Sequence, residues 1–457
     1  MDKAAEIKAG LDYLAGLDRF GMKLTLDRIQ ALMELLGQPQ QAFPVVHIAG
    51  TNGKGSTARF IAAVMQNAGL NVGLFTSPHL IRYNERIQIN GEPISDAALS
   101  ALINQVKPLV PQVTAEHGHP TEFEISTATA FLHFALEQVD LAIIEIGLGG
   151  MWDSTNVVQP VLSVITPVSM DHMSRLGDTL AEIAAQKAGI IKHETPVVCG
   201  PQQPVAAEVI AKAAKAANAR VYWVKEADVT EHNWEDPDNG QVATLYPVTW
   251  NKQGGVFHLT GPLEQWNNIA ISLLGKHQLV NAAVAATCCQ ILAELGFPVG
   301  ETDVREAFVK TTWPGRFDVV SEHPMVILDG AHNVAGAQAL RQSLQELFPH
   351  MRKVLVMGML AEKQITEVLS VLLPCADQLV CTAPAGGRTA PVTAVELAAL
   401  AKDIAQRQGL SCSIEWQNDA YAALQTAEQA AGPDGLVCVC GSLYLIGELL
   451  ENPELRN

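Results

Sequence analysis

Apolar residues along this chain fall in short blocks separated by stretches of helical period. Val45–Ala49 is a mostly apolar run followed by glycines, and apolar positions then recur three and four apart through Ala68. A block of that length bounded by turn residues predicts a strand, and the spacing after it predicts a helix. The alternation repeats, with strands expected at Val72–Thr76, Asp140–Ile146, Val161–Thr166 and Val197–Cys199 and helices at Thr127–Gln138 and Thr179–Ala188. Thr179 and Glu182 have the spacing of a capping box. Near-continuous apolar strands alternating with helices predict α/β architecture with largely parallel sheets.

From about residue 222 to 272 the pattern changes. Trp223, Trp234, Trp250 and Trp266 stand among Gly, Pro, Asn and Asp, with short alternating segments such as Val256–Leu259. These predict a small antiparallel β-rich subregion. A long helix, His277–Leu295, runs into a Gly-Phe-Pro-Val-Gly break, and a second α/β series follows. Its strands are expected at Val326–Leu328, Val354–Met357, Gln378–Cys381, Ser413–Glu415 and Leu436–Cys440. With 457 residues, too many for one ordinary core, the chain is expected to divide into domains 1–296 and 297–457.

Charge narrows the function. Lys and Arg number 30 against 48 Asp and Glu, a formal net charge of −18. Such a surface repels nucleic acid and anionic membranes, and an anionic substrate such as ATP needs a local cationic site, ideally with a metal. The apolar runs, such as Leu141–Ile144, are far shorter than a membrane span, and the first thirty residues hold no signal-type block, so a cytoplasmic location is expected. None of the eight cysteines forms a CxxC pair, and most sit in apolar patterns; they read as small buried hydrophobes in a reducing compartment.

The run His47 to Thr57 follows a strand and opens a helix. Gly50, Gly53 and Gly55 let backbone N–H groups approach phosphates, Lys54 adds a full charge, and the Ser56 hydroxyl can reach a magnesium ion. Ile48 occupies the first glycine position of the strict P-loop pattern, and Gly55 is inserted before the hydroxyl. Ligands of open α/β sheets bind beyond the carboxyl ends of the strands. There the sequence places Ser77, Glu145 before Gly147-Leu-Gly-Gly150, Asp171-His172 and, on the next helix, Lys187. Each has a plain alternative: a satisfied carboxylate, a loop histidine, a lysine snorkelling from the stripe of Leu176, Leu180 and Ile183. Their convergence on one phosphate loop favours a joint role, and the hydroxyl, carboxylate and imidazole suit Mg²⁺ or Mn²⁺ better than zinc. In the second series Arg316 could hold phosphate and Asp329 could accept ribose hydroxyls; a surface ion pair for Arg316 and a helix-cap contact for His332 are the alternatives.

These segments resemble the folylpolyglutamate synthase/dihydrofolate synthase family, relatives of the Mur amide ligases. The likeness rests on GTNGKGST (50–57), SPHLIRYNERI (77–87), EIGLGG (145–150) with Asp153 and Asn156, Asp171-His172 and QKAGIIK (186–192), and continues through GKHQLVN (275–281), PGRF (314–317), DGAHN (329–333) and GSLYLIGE (441–448). It implies a Mur central-domain-like P-loop ATPase domain carrying the β-rich subregion, followed by a Rossmann-like domain on the glutamate side. The implied reaction adds L-glutamate to dihydropteroate or folates through an acyl phosphate.

The resemblance also implies roles. Gly50, Thr51, Asn52, Gly53, Lys54, Gly55 and Ser56 would hold ATP phosphates, with Asn281, Arg316 and Asp329 on the nucleotide. Ser56, Ser77, Glu145 and His172 would surround the metal, Mg²⁺ or Mn²⁺, with a monovalent cation as a further candidate. Lys54, Lys187, His172 and His332 would be catalytic, Lys187 as a CO₂-derived carbamate. His332 and Ser442 would lie towards glutamate. The pterin side would be Gly21, Met22, Lys23 and Leu24, with Thr121, Glu122, Phe123 and Glu124, and Trp152, Asp153 and Ser154. The chain departs from the family pattern at Lys23, Met151, Trp152 and Ser154, all on that side. A monomer acting on small molecules is implied; a Mur-type ligase of cell-wall precursors is the alternative enzyme, and a regulatory NTPase switch, which lacks an NKxD signature here, the alternative class.

Overall fold

The computed structural model describes residues 3–17, 25–227, 241–387, 389–452 and 455, so the expected pterin segment Gly21–Leu24, and Trp234, lie outside the described residues. The first sheet contains β1 (Val45–Ala49), β2 (Val72–Phe75), β3 (Ile87–Ile89), β4 (Glu92–Pro93), β5 (Leu141–Glu145), β6 (Leu162–Ile165), β7 (Val197–Cys199), β8 (Val221–Glu226), β9 (Gln241–Asn251), β10 (Gly254–Thr260) and β11 (Trp266–Ile271). Its order is β11-β10-β9-β8-β7-β6-β1-β5-β2-β3-β4.

β1 and β5 are buried at every position. Alternation explains this: Val46, Ile48 and Ile143 face a core built on helices Lys54–Asn67 and Lys276–Glu294, while Val45, Ala142 and Ile144 face one built on helix Glu122–Leu136. Helices on both faces make these strands apolar except at His47 and Glu145, and each fully buried Val, Ile or Leu contributes about 1.5–3 kcal/mol.

The β-rich stretch is not a separate layer. β8 runs parallel to β7, β9 runs parallel to β8, and within this stretch the antiparallel pairs are β9–β10 and β10–β11; β2–β3 and β3–β4 are antiparallel at the opposite edge. Helix Glu122–Leu136 starts five residues before the expected Thr127, because Thr121 Oγ1 accepts from Glu124 N (3.2 Å) and Glu124 Oε2 from Thr121 N (2.7 Å).

The second sheet contains β12 (Asp318–Glu322), β13 (Met325–Leu328), β14 (Lys353–Met357), β15 (Gln378–Cys381), β16 (Ser413–Trp416) and β17 (Leu436–Cys440), in the order β12-β13-β17-β14-β15-β16. All pairs are parallel except the edge strand β12 on β13. Sequence pattern did not mark β12, whose residues are only half-buried. Helix Glu301–Phe308 lies beyond the expected division at 297, yet it buries Val304, Ala307 and Phe308 in the first domain's core, with Phe308 4.7 Å from Phe60 between ring centroids. The chain therefore crosses to the second sheet after Phe308. All eight cysteines are free, and six are buried. No helix among the described residues is long and apolar enough to cross a membrane.

Candidate active site

The carboxyl ends of β1, β2, β5 and β6 point at those of β13, β14 and β17 across a cleft of about 420 Å³. A groove of about 810 Å³ opens at the amino ends of β7 and β8, around Pro196, Arg220 and Trp223, and none of Lys54, Glu145, Asp171, His172 or Lys187 lines it. In parallel α/β sheets it is the carboxyl end that collects ligands.

Residues 50–56 line the cleft between β1 and helix Lys54–Asn67. Gly50 has φ +142° and Gly53 φ +86°; a Cβ on the first would run into the Thr166 side chain and one on the second into Asn281. Thr51 is tied to β6's outgoing loop, its hydroxyl donating to Ser169 O and accepting from Ser169 N, each at 3.0 Å. Lys54 Nζ donates to Thr51 O at 3.0 Å and lies 3.8 Å from Glu145 Oε1. We expect Gly53→Ala to weaken nucleotide binding at least about tenfold, since left-handed strain alone costs about 1–2 kcal/mol before the collision is counted. Titration calorimetry with ADP measures this, and unchanged affinity would refute the cradle geometry.

Lys187 does not snorkel. Its side chain is 4% exposed and Nζ donates to Gly50 O at 2.6 Å, joining helix Leu180–Ala188 to the phosphate loop. Burial, helped by the nearby Lys54 charge, lowers its pKa to about 7. A buried, near-neutral amine is the form to which CO₂ adds, so the residue fits a carbamate.

Glu145 is 5% exposed and accepts from Ser77 N at 3.3 Å; burial raises its pKa, opposed by Lys54. This buried carboxylate faces the cleft, and with the Ser56 and Ser77 hydroxyls also lining it the set fits a divalent ion. Among the described residues no three His, Cys, Asp or Glu side chains cluster closely enough to hold a metal alone. His172 lines the same cleft; burial, with Lys363 and other cations, lowers it to about 3, leaving a neutral ring whose Nε2 lies 3.3 Å from Lys363 Nζ.

Asp171 ties the two domains together. Lys363 Nζ donates to its Oδ1 at 2.8 Å, Asn333 Nδ2 donates to Oδ2 at 3.0 Å, and His332 Nε2 lies 3.6 Å from Oδ2. Burial would raise this carboxyl, but His332, Lys363 and His172 hold it well below the usual carboxylate range. Asn333 caps helix Val334–Leu347 through Gly336 N (2.8 Å) and exchanges amide hydrogen bonds with Asn52 of the phosphate loop at 3.0 and 3.1 Å. Neither Lys363 nor the Asn52–Asn333 pair was singled out from sequence.

Arg316 lines the cleft close enough to feel the charges of both Glu145 and Asp329, and Asn281, next to Gly53, lines it too. Both Asp329 oxygens accept backbone N–H groups, from Phe317 and Ala331, each at 2.9 Å. Ser442 caps helix Leu443–Leu450 through Tyr444 N and lines a side chamber of about 130 Å³ with Ser77, His172, His332 and Lys363.

The residues expected on the pterin side are not among those that line this cleft, although Phe123 packs close to Gly147, which is. Thr121 caps its helix, Glu122 accepts from Tyr83 and Arg86, Phe123 packs on Phe75 and Glu124 pairs with buried Arg28 at 3.0 Å. Asp153 spends its carboxylate on Gly147 N, Leu148 N and Thr155, and Ser154 Oγ bonds Thr127 Oγ1 at 2.7 Å. These polar atoms hold the Gly147–Gly150 turn, whereas Trp152 is exposed.

The Mur ligase middle domain matches residues 48–289, and the Mur ligase glutamate ligase domain matches 315–443. Fold and site together define an ATP-dependent ligase of the Mur type. The chain is 38% identical over 440 residues to the dihydrofolate synthase/folylpolyglutamate synthase of Bacillus subtilis, covering 96% of each, and 36% identical to folylpolyglutamate synthase of Lacticaseibacillus casei over 92% of each. Folylpolyglutamate synthase of Mycobacterium tuberculosis complexed with ADP and AMPPCP superposes with a TM-score of 0.85 at 33% identity over 98% of both chains. E. coli FolC in complex with DHPP and ADP gives 0.83 at 28% identity over 97% of both. The chain belongs to the dihydrofolate synthase/folylpolyglutamate synthase family.

Proposed function

We propose that this chain joins L-glutamate to 7,8-dihydropteroate, to a reduced folate, or to both, by way of an acyl phosphate. The observation that carries the reading is the convergence of Lys54, Glu145, Lys187 and Asp171 on one phosphate loop under a second domain. A pterin-side carboxylate oxygen attacks the γ-phosphorus of ATP, the bond to the β–γ bridging oxygen breaks, and ADP leaves. The glutamate amine then attacks the acyl carbon, forming the amide and releasing phosphate. Lys54 and the loop N–H groups meet the charge that grows on the phosphates, and Arg316 meets it from the other domain. Mg²⁺, held by Ser56, Ser77, Glu145 and His172, would neutralise phosphate charge, and a carbamate on Lys187 would add an anionic ligand beside it.

The side chamber with Ser77, His332, Lys363 and Ser442 offers cations and hydroxyls to an incoming dicarboxylic amino acid. A closed cleft excludes water from the acyl phosphate, which hydrolysis would waste. We place the protein in the cytoplasm as a monomer. Purified protein with ATP, Mg²⁺, glutamate and each pterin is expected to release ADP stoichiometrically with amide only when both acceptor and glutamate are present. ADP release with a nucleotide-sugar peptide and none with pterins would replace this reading by a cell-wall ligase.

A further inference from the structure

The two domains meet again away from the chemistry. β9 and β10 turn through Lys252 and Gln253, and this hairpin tip reaches the far end of helix Val334–Leu347. Trp250 Nε1 donates to Glu346 Oε2 at 2.7 Å, and Glu346 is steadied by Gln342 Nε2 at 2.8 Å. Lys252 Nζ lies 4.8 Å from the centre of the Phe348 ring, and Trp250 packs against the apolar cores of both domains. One turn short of that end, Gly275 sits so close that a Cβ there would meet Ser343 Oγ at 2.8 Å. At the near end Asn333 holds Asn52 and Asp171, and between the ends Ala335, Gly336 and Ala339 face the cleft. This helix is roughly 20 Å long, and the first domain grips it at both ends. A rod gripped at one end pivots; a second grip removes the pivot.

We propose that the hairpin tip is a remote mount for the glutamate-side domain, with Trp250 and Lys252 as positioning residues. They act through helix Val334–Leu347 to keep His332 and Asn333 in register with the phosphate loop. The inference rests on the ligase reading above. Losing a misaligned second substrate should raise the glutamate KM and let more acyl phosphate hydrolyse, while ATP, bound mainly by residues 50–56, is little affected.

The test compares Trp250→Phe, which keeps the ring and loses the N–H, with Glu346→Ala and Glu346→Gln, the last keeping an acceptor oxygen. Glutamate KM, ATP KM and the ratio of ADP to amide product are measured. Trp250→Phe and Glu346→Ala should each raise glutamate KM about fivefold, the scale of one ordinary hydrogen bond. ATP KM should stay within about twofold on the same scale, the double variant should be no worse than either single, and Glu346→Gln should behave as wild type. A general loss of stability would instead raise both constants and would not be rescued by Gln. Unchanged glutamate KM, or equal effects on both substrates, overturns the mount. Failure of the ligase reading shows separately, as wild-type protein that forms no amide. In that event small-angle scattering decides: the Trp250→Ala/Glu346→Ala protein must have a larger radius of gyration than wild type, and an unchanged radius refutes the mount.

Discussion

Lys187→Arg is expected to lose ligation by about 10³-fold, at the upper end of what one charge-stabilising group contributes to a transition state, while ADP still binds. The argument begins with burial. An amine 4% exposed, beside Lys54 and donating to Gly50 O, has its pKa lowered to about 7. The sign follows: the neutral form dominates above pH 7, and protonation removes the nucleophilic lone pair below it. A guanidinium keeps its charge throughout and cannot form a carbamate. Protein stripped of CO₂ should therefore be slow and recover on adding bicarbonate, with a recovery rate that falls about tenfold per pH unit below 7 and levels off above it. Lys187→Ala should be as inactive as the Arg variant and equally deaf to bicarbonate. Wild-type turnover by either variant, or turnover indifferent to CO₂ across that range, would remove the carbamate from the mechanism.

The sequence showed the first half of this site more clearly than the second, for a physical reason. Gly50 and Gly53 announce themselves because their backbone angles and neighbours admit no side chain. Strand ends announce themselves through period and length, and that pattern suffices to bring Ser77, Glu145 and His172 to the same cleft as the loop. Lys187 was ambiguous because a stripe of Leu176, Leu180 and Ile183 describes equally a snorkelling lysine and a buried one; only packing against Gly50 decides. The helix at Glu122 was readable in Thr121 and Glu124 but was begun late. Lys363 and Asn333 are different in kind. Their partners are 192 and 162 residues away at Asp171, or 281 away at Asn52, and no local pattern encodes how two sheets dock. Edge strand β12 was missed because half-exposed positions carry no strict alternation.

That docking is where the second large effect is expected. Asp171→Ala should lower ligation by about 10²-fold or more and destabilise the chain by about 3–5 kcal/mol, the cost of stranding one member of a buried pair. Lys363 and Asp171 side chains are only 8% and 11% exposed, so the ammonium left behind has little water to turn to. It would also face the neutral His172 ring, 3.3 Å away, with no anion between them. Removing Lys363 as well should return part of the stability, with a coupling of about 0.5–3 kcal/mol in a double-mutant cycle. Activity should stay low, because His332 and Asn333 have still lost Asp171, leaving only the Asn52 amide pair at this end of the helix. The pH dependence separates this pair from ordinary surface charges. A carboxyl held below its usual value contributes stability that is present above the unfolded-state pKa of about 3.9 and is lost only as pH falls through the lower folded value. The penalty of Asp171→Ala should therefore be flat from pH 5 to 8 in denaturant titrations. Losses that simply add, the double variant falling by the sum of the two single variants, would mean that the pair carries no coupling, and closure of the cleft would then rest on the amide pair of Asn52 with Asn333 and on the hairpin at the other end of the helix.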